Sequence, residues 1–361
     1  MTTTTLAPRT VDDLDHAGKR WITLAWIGGL GATLIATIVV ATGLGPVWVP
    51  PSTVAEIVGH HMFGWPDAVG WSRAHDSIVW QVRIPRVLLG ACVGAALAVS
   101  GVVLQTIIRN ALADPHILGV TSGASTGAAV CLLFGSTTAV STAALTSSAF
   151  LGAMIATVLL FLVARINGQM TSLRLLLGGV TIGYIFSAAT SFLIFASDSP
   201  EGARAVLFWL LGSLGSAAWS SVGLTSAVVL VFLGVLFVMS TRFDALAIGD
   251  DTARTLGFSP IRLRIYALGI VALGVGAVVA VSGAIGFVGL IIPHIARLCV
   301  GSTHRALIPV SALIGAIFLV AADVVARTAF APRELPLGIV TAVVGAPLLL
   351  VLIRRMRGTH T

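Results

Sequence analysis

Apolar runs with few or no charges recur from one end of this chain to the other, and they leave few folds open. A helix needs about 20 apolar residues to cross roughly 30 Å of hydrocarbon. Runs close to that length stand at 21–43, 84–107, 116–135, 142–164, 174–196, 221–241, 263–282, 285–300, 306–326 and 336–353. They predict an all-α, polytopic membrane protein of about ten spans. Composition agrees: 57% of the 361 residues are hydrophobic and 10% charged, whereas a soluble domain carries about a quarter charged. The leader, 1–20, holds Asp12, Asp13 and Asp15. It is too long and too acidic for a secretory signal, so it reads as a cytoplasmic tail ahead of a single transmembrane domain, 21–361.

Charge sets the orientation. With the N-terminus inside, fifteen of the 21 basic residues fall in inner segments, an excess of the positive-inside kind. Both termini are then cytoplasmic. The formal charge of +7 does not imply nucleic acid, because only Lys19 is a lysine and no basic run with interleaved aromatics exists. Cys92, Cys131 and Cys299 lie in apolar segments without metal or redox spacing and read as packing residues. Two outer segments do not span: 44–82, with Trp48, Trp65, Trp71 and Trp80 suited to the interface, and 205–216, short enough for a half-helix. An inner loop, 242–262, joins spans six and seven.

"GAALAVSGVV" at 94–103 and "GAVVAVSGAI" at 276–285 match at six of ten positions and run in opposite directions across the membrane. That is the pattern of an inverted repeat, common in transporters, although chance recurrence of small residues explains it equally well. Gly90 and Gly94, and Gly119, Gly123 and Gly127, fall at four-residue spacing, which lets helix backbones approach closely. The hydroxyls of Thr121, Ser122, Ser125 and Thr126 raise a second reading, a polar wall along a solute path.

Asp323 and Arg327 are one helical turn apart and predict a pair that neutralises itself near the outer end of span nine. His294 follows a proline and reads as a hydrogen-bonded structural residue. No Asp/Glu/His chain suggests a proton-coupled pump, and no zincin or Ser–His–Asp pattern suggests an intramembrane enzyme. A P-loop needs Gly-Lys-Ser/Thr, but Lys19 is followed by Arg20. Uphill transport must then draw on an ion gradient or on another subunit.

The stretch "AIGDDTARTLGF", Ala247–Phe258, is out of keeping with its surroundings. Asp250 suits an N-cap, Asp251 favours the first turn through the helix dipole, and Gly257 can end the helix in a left-handed turn. Ala253 and Leu256 share a face beside Arg254, with Arg262 and Arg264 close behind. A connector needs only a few residues. A capped helix over 250–256 predicts a docking surface.

The stretch "LAIGDDTARTLGF" resembles the coupling loop of the iron-chelate and cobalamin permeases, the membrane subunits of type II ATP-binding-cassette importers. "RIPRVLLGACVGAALAVSGVVLQ" (83–105), "RNALADPHILGVTSGAS" (109–125), "GAIGFVGLIIPHIAR" (283–297) and "ELPLGIVTAVVGAP" (334–347) resemble that family's signatures in its order. The resemblance implies a type II permease fold of ten spans and a central path between two permease subunits, identical or related. It also implies two ATPase subunits below, which bind ATP and Mg while this chain binds no cofactor, and an extracytoplasmic solute-binding protein above. Ile248, Gly249, Asp250, Asp251, Thr252, Ala253, Arg254, Leu256 and Gly257 match the ATPase-coupling segment. Arg83, Arg86 and Arg327 match the arginines that meet the binding protein, a reading helix-end guanidinium groups support on their own. Asn110 and Leu112 match the cytoplasmic gate. Ala111 stands where the family has proline, which frees an N–H and predicts a relaxed bend there. The implied cargo is a ferric siderophore or haem, with cobalamin as the alternative.

Overall fold

The computed structural model of the chain describes residues 13–135, 141–165 and 170–357. Residues 1–12 of the expected tail lie outside that set. The helices, in order, begin with α1 (Asp13–Gly43), α2 (Pro51–Phe63), α3 (Arg73–Asp76) and α4 (Ile84–Ile108). A 3₁₀ turn at Pro115–Leu118 precedes α5 (Val120–Phe134), α6 (Thr142–Ala164), α7 (Ser172–Phe195) and α8 (Pro200–Leu210). There follow α9 (Trp219–Val238), α10 (Ser240–Ile248), α11 (Asp250–Thr255) and α12 (Pro260–Ser282), and then α13 (Val288–Val300), α14 (His304–Thr328) and α15 (Leu337–Arg357). Among the described residues there is no strand.

Seven of these helical stretches are long and apolar enough to cross a membrane. Three shorter apolar stretches, Val120–Phe134, Val288–Val300 and Leu337–Val351, occupy the places of the remaining expected spans. The half-helix expected at 205–216 is α8, which begins at Pro200 with Ser199 as its cap.

The expected outer loop 44–82 is mostly helical. Ser72 caps α3 by accepting from the His75 N–H, and a π-helical turn, Ser77–Arg83, carries the helix without a break into α4. Val49, Val54, Ile57 and Val79 form a small core there. Trp48 and Trp65 are exposed, as an interfacial residue should be, but Trp80 turns inward: its ring stacks on His61 at 4.3 Å, and its carbonyl accepts from Trp219 Nε1–H.

α4 is the axis of the bundle. From Val93 to Ile108 it is buried without interruption, packed by α14, α13, α12 and α9, whereas α1 lies at the periphery against α14. Small residues make this possible. A Cβ added at Gly101 would sit 1.8 Å from Gly289 O, and one at Gly94 would sit 2.2 Å from Gly315 O. Gly101→Ala is therefore expected to force α13 off α4 and destabilise the protein by about 1–3 kcal/mol. Thermal unfolding in detergent checks this against Gly29→Ala, where an added Cβ meets nothing within 4 Å. Equal melting temperatures would count against the packing argument.

The two similar decapeptides both lie on buried helices. Ser100 donates to Ala96 O at 2.6 Å, and Ser282, at the matching place, donates to Val278 O at 2.8 Å. They part at the next residue: Gly101 continues α4, whereas Gly283 (φ +68) ends α12.

Candidate functional site

The segment 247–258 forms the expected short helix, but it is fastened differently. Gly249, in extended conformation, is the N-cap of α11, and no side chain caps it. Asp250 is instead gripped from two sides. Arg264 on α12 donates from Nη1 to Oδ2 at 2.9 Å and from Nη2 to Oδ1 at 2.8 Å, a bidentate pair. Arg109, the left-handed C-cap of α4, also donates to Oδ1 through Nη2. Arg264 Nε–H donates in addition to Ile107 O at 3.2 Å, and Arg109 Nη2–H to Leu246 O at 3.2 Å. One carboxylate thus binds α11 to the start of α12 and to the end of α4. The helix ends as expected, with Gly257 at φ +83 and the Phe258 N–H donating to Ala253 O at 2.8 Å.

The apolar face differs from expectation. Ala253 is fully buried under the helix, so it is not exposed beside Leu256. The outward surface is built from Ile248 (74% exposed) and Leu256 (58% exposed), beside the surface pair Asp251–Arg254 at 2.7 Å. Thr252 lies between them, half-buried.

Hydrogen bonds from Arg264 hold the Asp250 carboxyl below the usual aspartate value; partial burial opposes this, and the charges of Arg264, Arg109 and Arg254 add to it. With the folded value below the unfolded one of about 3.9, the latch is fully present above that pH and is lost as pH falls through the folded value. A spin label at residue 255, with the three native cysteines replaced, should show constant mobility from neutral pH to about pH 4 and rising mobility below. With Asp250→Asn it should be mobile throughout. A wild-type label that loosens already near neutrality contradicts the latch.

The three outer arginines expected to meet the binding protein lie close together. Arg83, Arg86 and Arg327 are buried within the chain, at 4%, 5% and 3% exposure. α1 ends among them, and its last carbonyls lack helical donors. Arg83 Nη1–H donates to Thr42 O and Gly43 O at 2.9 and 2.8 Å, its Nη2–H donates to Val47 O, and Arg327 Nη2–H donates to Ala41 O at 2.6 Å. The expected Asp323–Arg327 pair is present, with Nε–Oδ2 at 3.2 Å, though at an angle short of a hydrogen bond. Arg86 Nε–H donates to Asp323 Oδ1 at 2.9 Å, and its Nη1–H reaches both oxygens of Glu334 at 2.9 Å. Glu334 was not expected in the cluster; its place in "ELP" gave no sign of a partner on α4.

The hydroxyls of Ser125 and Thr126 bond backbone carbonyls within the helix pack. Thr121 and Ser125 are buried, with Ser125 donating to Thr121 O at 2.9 Å, and Ser122 is half-buried. Thr126 donates to Phe186 O at 2.8 Å, tying α5 to α7. A Cβ at Gly123 or Gly127 would meet α6 backbone, Gly152 O at 2.4 Å or Ser148 O at 2.1 Å. These residues sit inside the α5–α6–α7 pack. Asn110 and Leu112 are elsewhere, on the loop after α4, where Leu112 is exposed. The bend there is kept despite Ala111: Ala113 N–H donates to Asn110 O at 3.0 Å, and Leu112 N–H to Asn110 Oδ1 at 2.9 Å. Ala111 is the second residue of that turn, a place proline favours but does not require. His294 Nε2 lies 3.3 Å from Ala111 O, in the structural role expected of it.

The profile of the FecCD transport family matches residues 33–355. A cobalamin import system permease of Halobacterium salinarum is 38% identical over 361 aligned positions, covering 92% of this chain and 96% of the relative. A hemin transport system permease of Yersinia pestis is 37% identical over 293 positions, covering 80% and 87%. Among solved structures, an inward-facing metal-chelate type ABC transporter superposes with a TM-score of 0.79 at 34% identity, covering 91% of this chain and 98% of that one. By sequence profile, by relatives along nearly its whole length and by fold, the chain belongs to the FecCD transport family.

Proposed function

We propose that this chain is the membrane subunit of an ATP-driven importer of a metal chelate, with its N- and C-termini in the cytoplasm. It pairs with a second permease subunit, rests on two ATPase subunits and receives cargo from an extracytoplasmic solute-binding protein. The observation that carries the reading is the fastening of α11 by Asp250 to two spanning helices, with Ile248 and Leu256 left outward. A helix so tied moves with α4 and α12 when a partner moves it. Nucleotide binding closes the ATPase pair, α11 is displaced, and the spans exchange inward and outward access. The chain does no covalent chemistry; it biases two arrangements of one bundle.

The names of the relatives, for cobalamin and hemin, and of the structural neighbour, for a metal chelate, support a chelate as cargo. Ferric siderophore, haem and cobalamin share that chemistry. A gradient-driven carrier is the rival. Asp323 is the acidic residue within the described span α14, and its ion pairs with Arg86 and Arg327 favour a structural role for it over proton carriage. Co-reconstitution with the ATPase and binding protein tests the reading, using a ferric siderophore, haemin and cyanocobalamin as separate cargoes. Uptake of one of them that needs ATP and survives an uncoupler is expected. Uptake that persists without ATP and collapses with the ion gradient would refute it.

A further inference from the structure

His304 opens α14 and is almost wholly buried, yet both of its ring nitrogens are engaged. Nδ1 lies 2.6 Å from Asp244 Oδ1 on α10, and the His304 backbone N–H donates to the same oxygen at 2.9 Å. Nε2 lies 2.7 Å from Thr106 Oγ1 on α4. A carboxylate only accepts, so Nδ1 carries a hydrogen. The Thr106 hydroxyl completes either state of the other nitrogen. It donates to a bare Nε2, or accepts from Nε2–H and donates to Val102 O, 2.9 Å away. One side chain thus joins α10, α14 and α4.

Asp244 and Asp250 lie on opposite sides of the break at Gly249, one on each helix of the inner segment. Asp250 fastens α11 to α12 and α4 through arginines; Asp244 fastens α10 to α14 and α4 through an imidazole. Burial alone would raise the Asp244 carboxyl, but the hydrogen bonds from His304 outweigh it and hold that group below the usual aspartate value. Packing already holds α10 in place, since Phe243 and Leu246 are fully buried. What packing does not supply is a directional link to two spans at once.

We propose that His304 is a positioning residue of the lever: by holding Asp244 and Thr106 together it makes α10 move with α14 and α4. Displacement of α11 then reaches the bundle through two fastenings. This rests on the reading of 247–258 as the ATPase-facing lever.

Asparagine places a donor near the Nδ1 position and glutamine one near Nε2, and neither spans both partners. The test compares His304→Asn, His304→Gln, Thr106→Val and Thr106→Ser in the assembled importer. The first three are expected to import roughly tenfold less cargo per ATP hydrolysed and to exchange amide hydrogens over 240–248 roughly tenfold faster. Thr106→Ser, which keeps the hydroxyl, should behave as wild type in both. Wild-type coupling in His304→Asn and His304→Gln, or unchanged exchange in both, overturns the proposal. A wild-type complex that imports nothing with ATP overturns the lever reading and this role with it, while the exchange data still report whether the bridge exists.

Discussion

Alanine at Asp323 is expected to destabilise the protein by about 3–5 kcal/mol, a large part of the total stability of a typical protein domain. The reason is what it leaves behind. Arg86 and Arg327 are about as buried as Asp323 itself, and each would keep its charge without the carboxylate between them. Arg86 would retain Glu334, whose side chain is 44% exposed and therefore screened. Arg327 would retain the Ala41 carbonyl near the end of α1 and the more distant, partly exposed Glu334. Glu334→Gln, by contrast, removes a solvent-facing partner and should cost less than about 1 kcal/mol. Thermal unfolding of both variants in one detergent separates the cases. If Asp323→Ala and Glu334→Gln lose the same small amount, the cluster is not held by a buried charge network.

That cluster also marks where the sequence stopped being readable. The spans were legible because lipid demands a local property, an uninterrupted apolar run, and each of the ten places holds an apolar helix. The Asp323–Arg327 pair was legible because one helical turn separates them. The pairing of Arg86 with Asp323 joins residues 237 apart in sequence, and nothing local announces it. Counting arginines by side of the membrane gives their depth but not their direction. Three guanidinium groups at helix ends therefore read as a ready anion-docking set, and nothing local tells of the carbonyls ending α1 and the carboxylates of Asp323 and Glu334 that they bond within the chain. The same limit applies at Asp250. Its sequence position suits a cap, but Arg264 stands 14 residues on and Arg109 stands 141 back, and two guanidinium groups outweigh one backbone N–H. Helix 73–83 was missed for a different reason. Its polar start, with Arg73, His75 and Asp76, carries no apolar periodicity, and its cap at Ser72 is seen only in the structure.

Leu256→Asp is expected to abolish ATP-driven uptake while leaving the fold intact, because the two faces of segment 248–256 do different work. Asp250 and Ala253 face the bundle and fix the helix; Ile248 and Leu256 face away and are exposed. Fully burying a leucine-sized side chain against a second protein contributes about 1.5–3 kcal/mol. A carboxylate at the same point loses that contribution and adds desolvation, so docking should weaken by roughly thirtyfold or more. The ATPase subunits would go on hydrolysing ATP, but their closure would no longer move α11. Leu256→Ala should fall between, since it removes the contact without introducing charge. Asp250→Asn should also reduce uptake, yet by another route: the ATPase would still bind, and the helix would slip against α4 and α12 because two guanidinium groups have lost their carboxylate. Co-purification of the ATPase with each variant, measured beside uptake, tells these apart. Full uptake by Leu256→Asp would remove the outward face from the mechanism, and loss of ATPase binding in Asp250→Asn would mean that the latch and the docking surface are not separate.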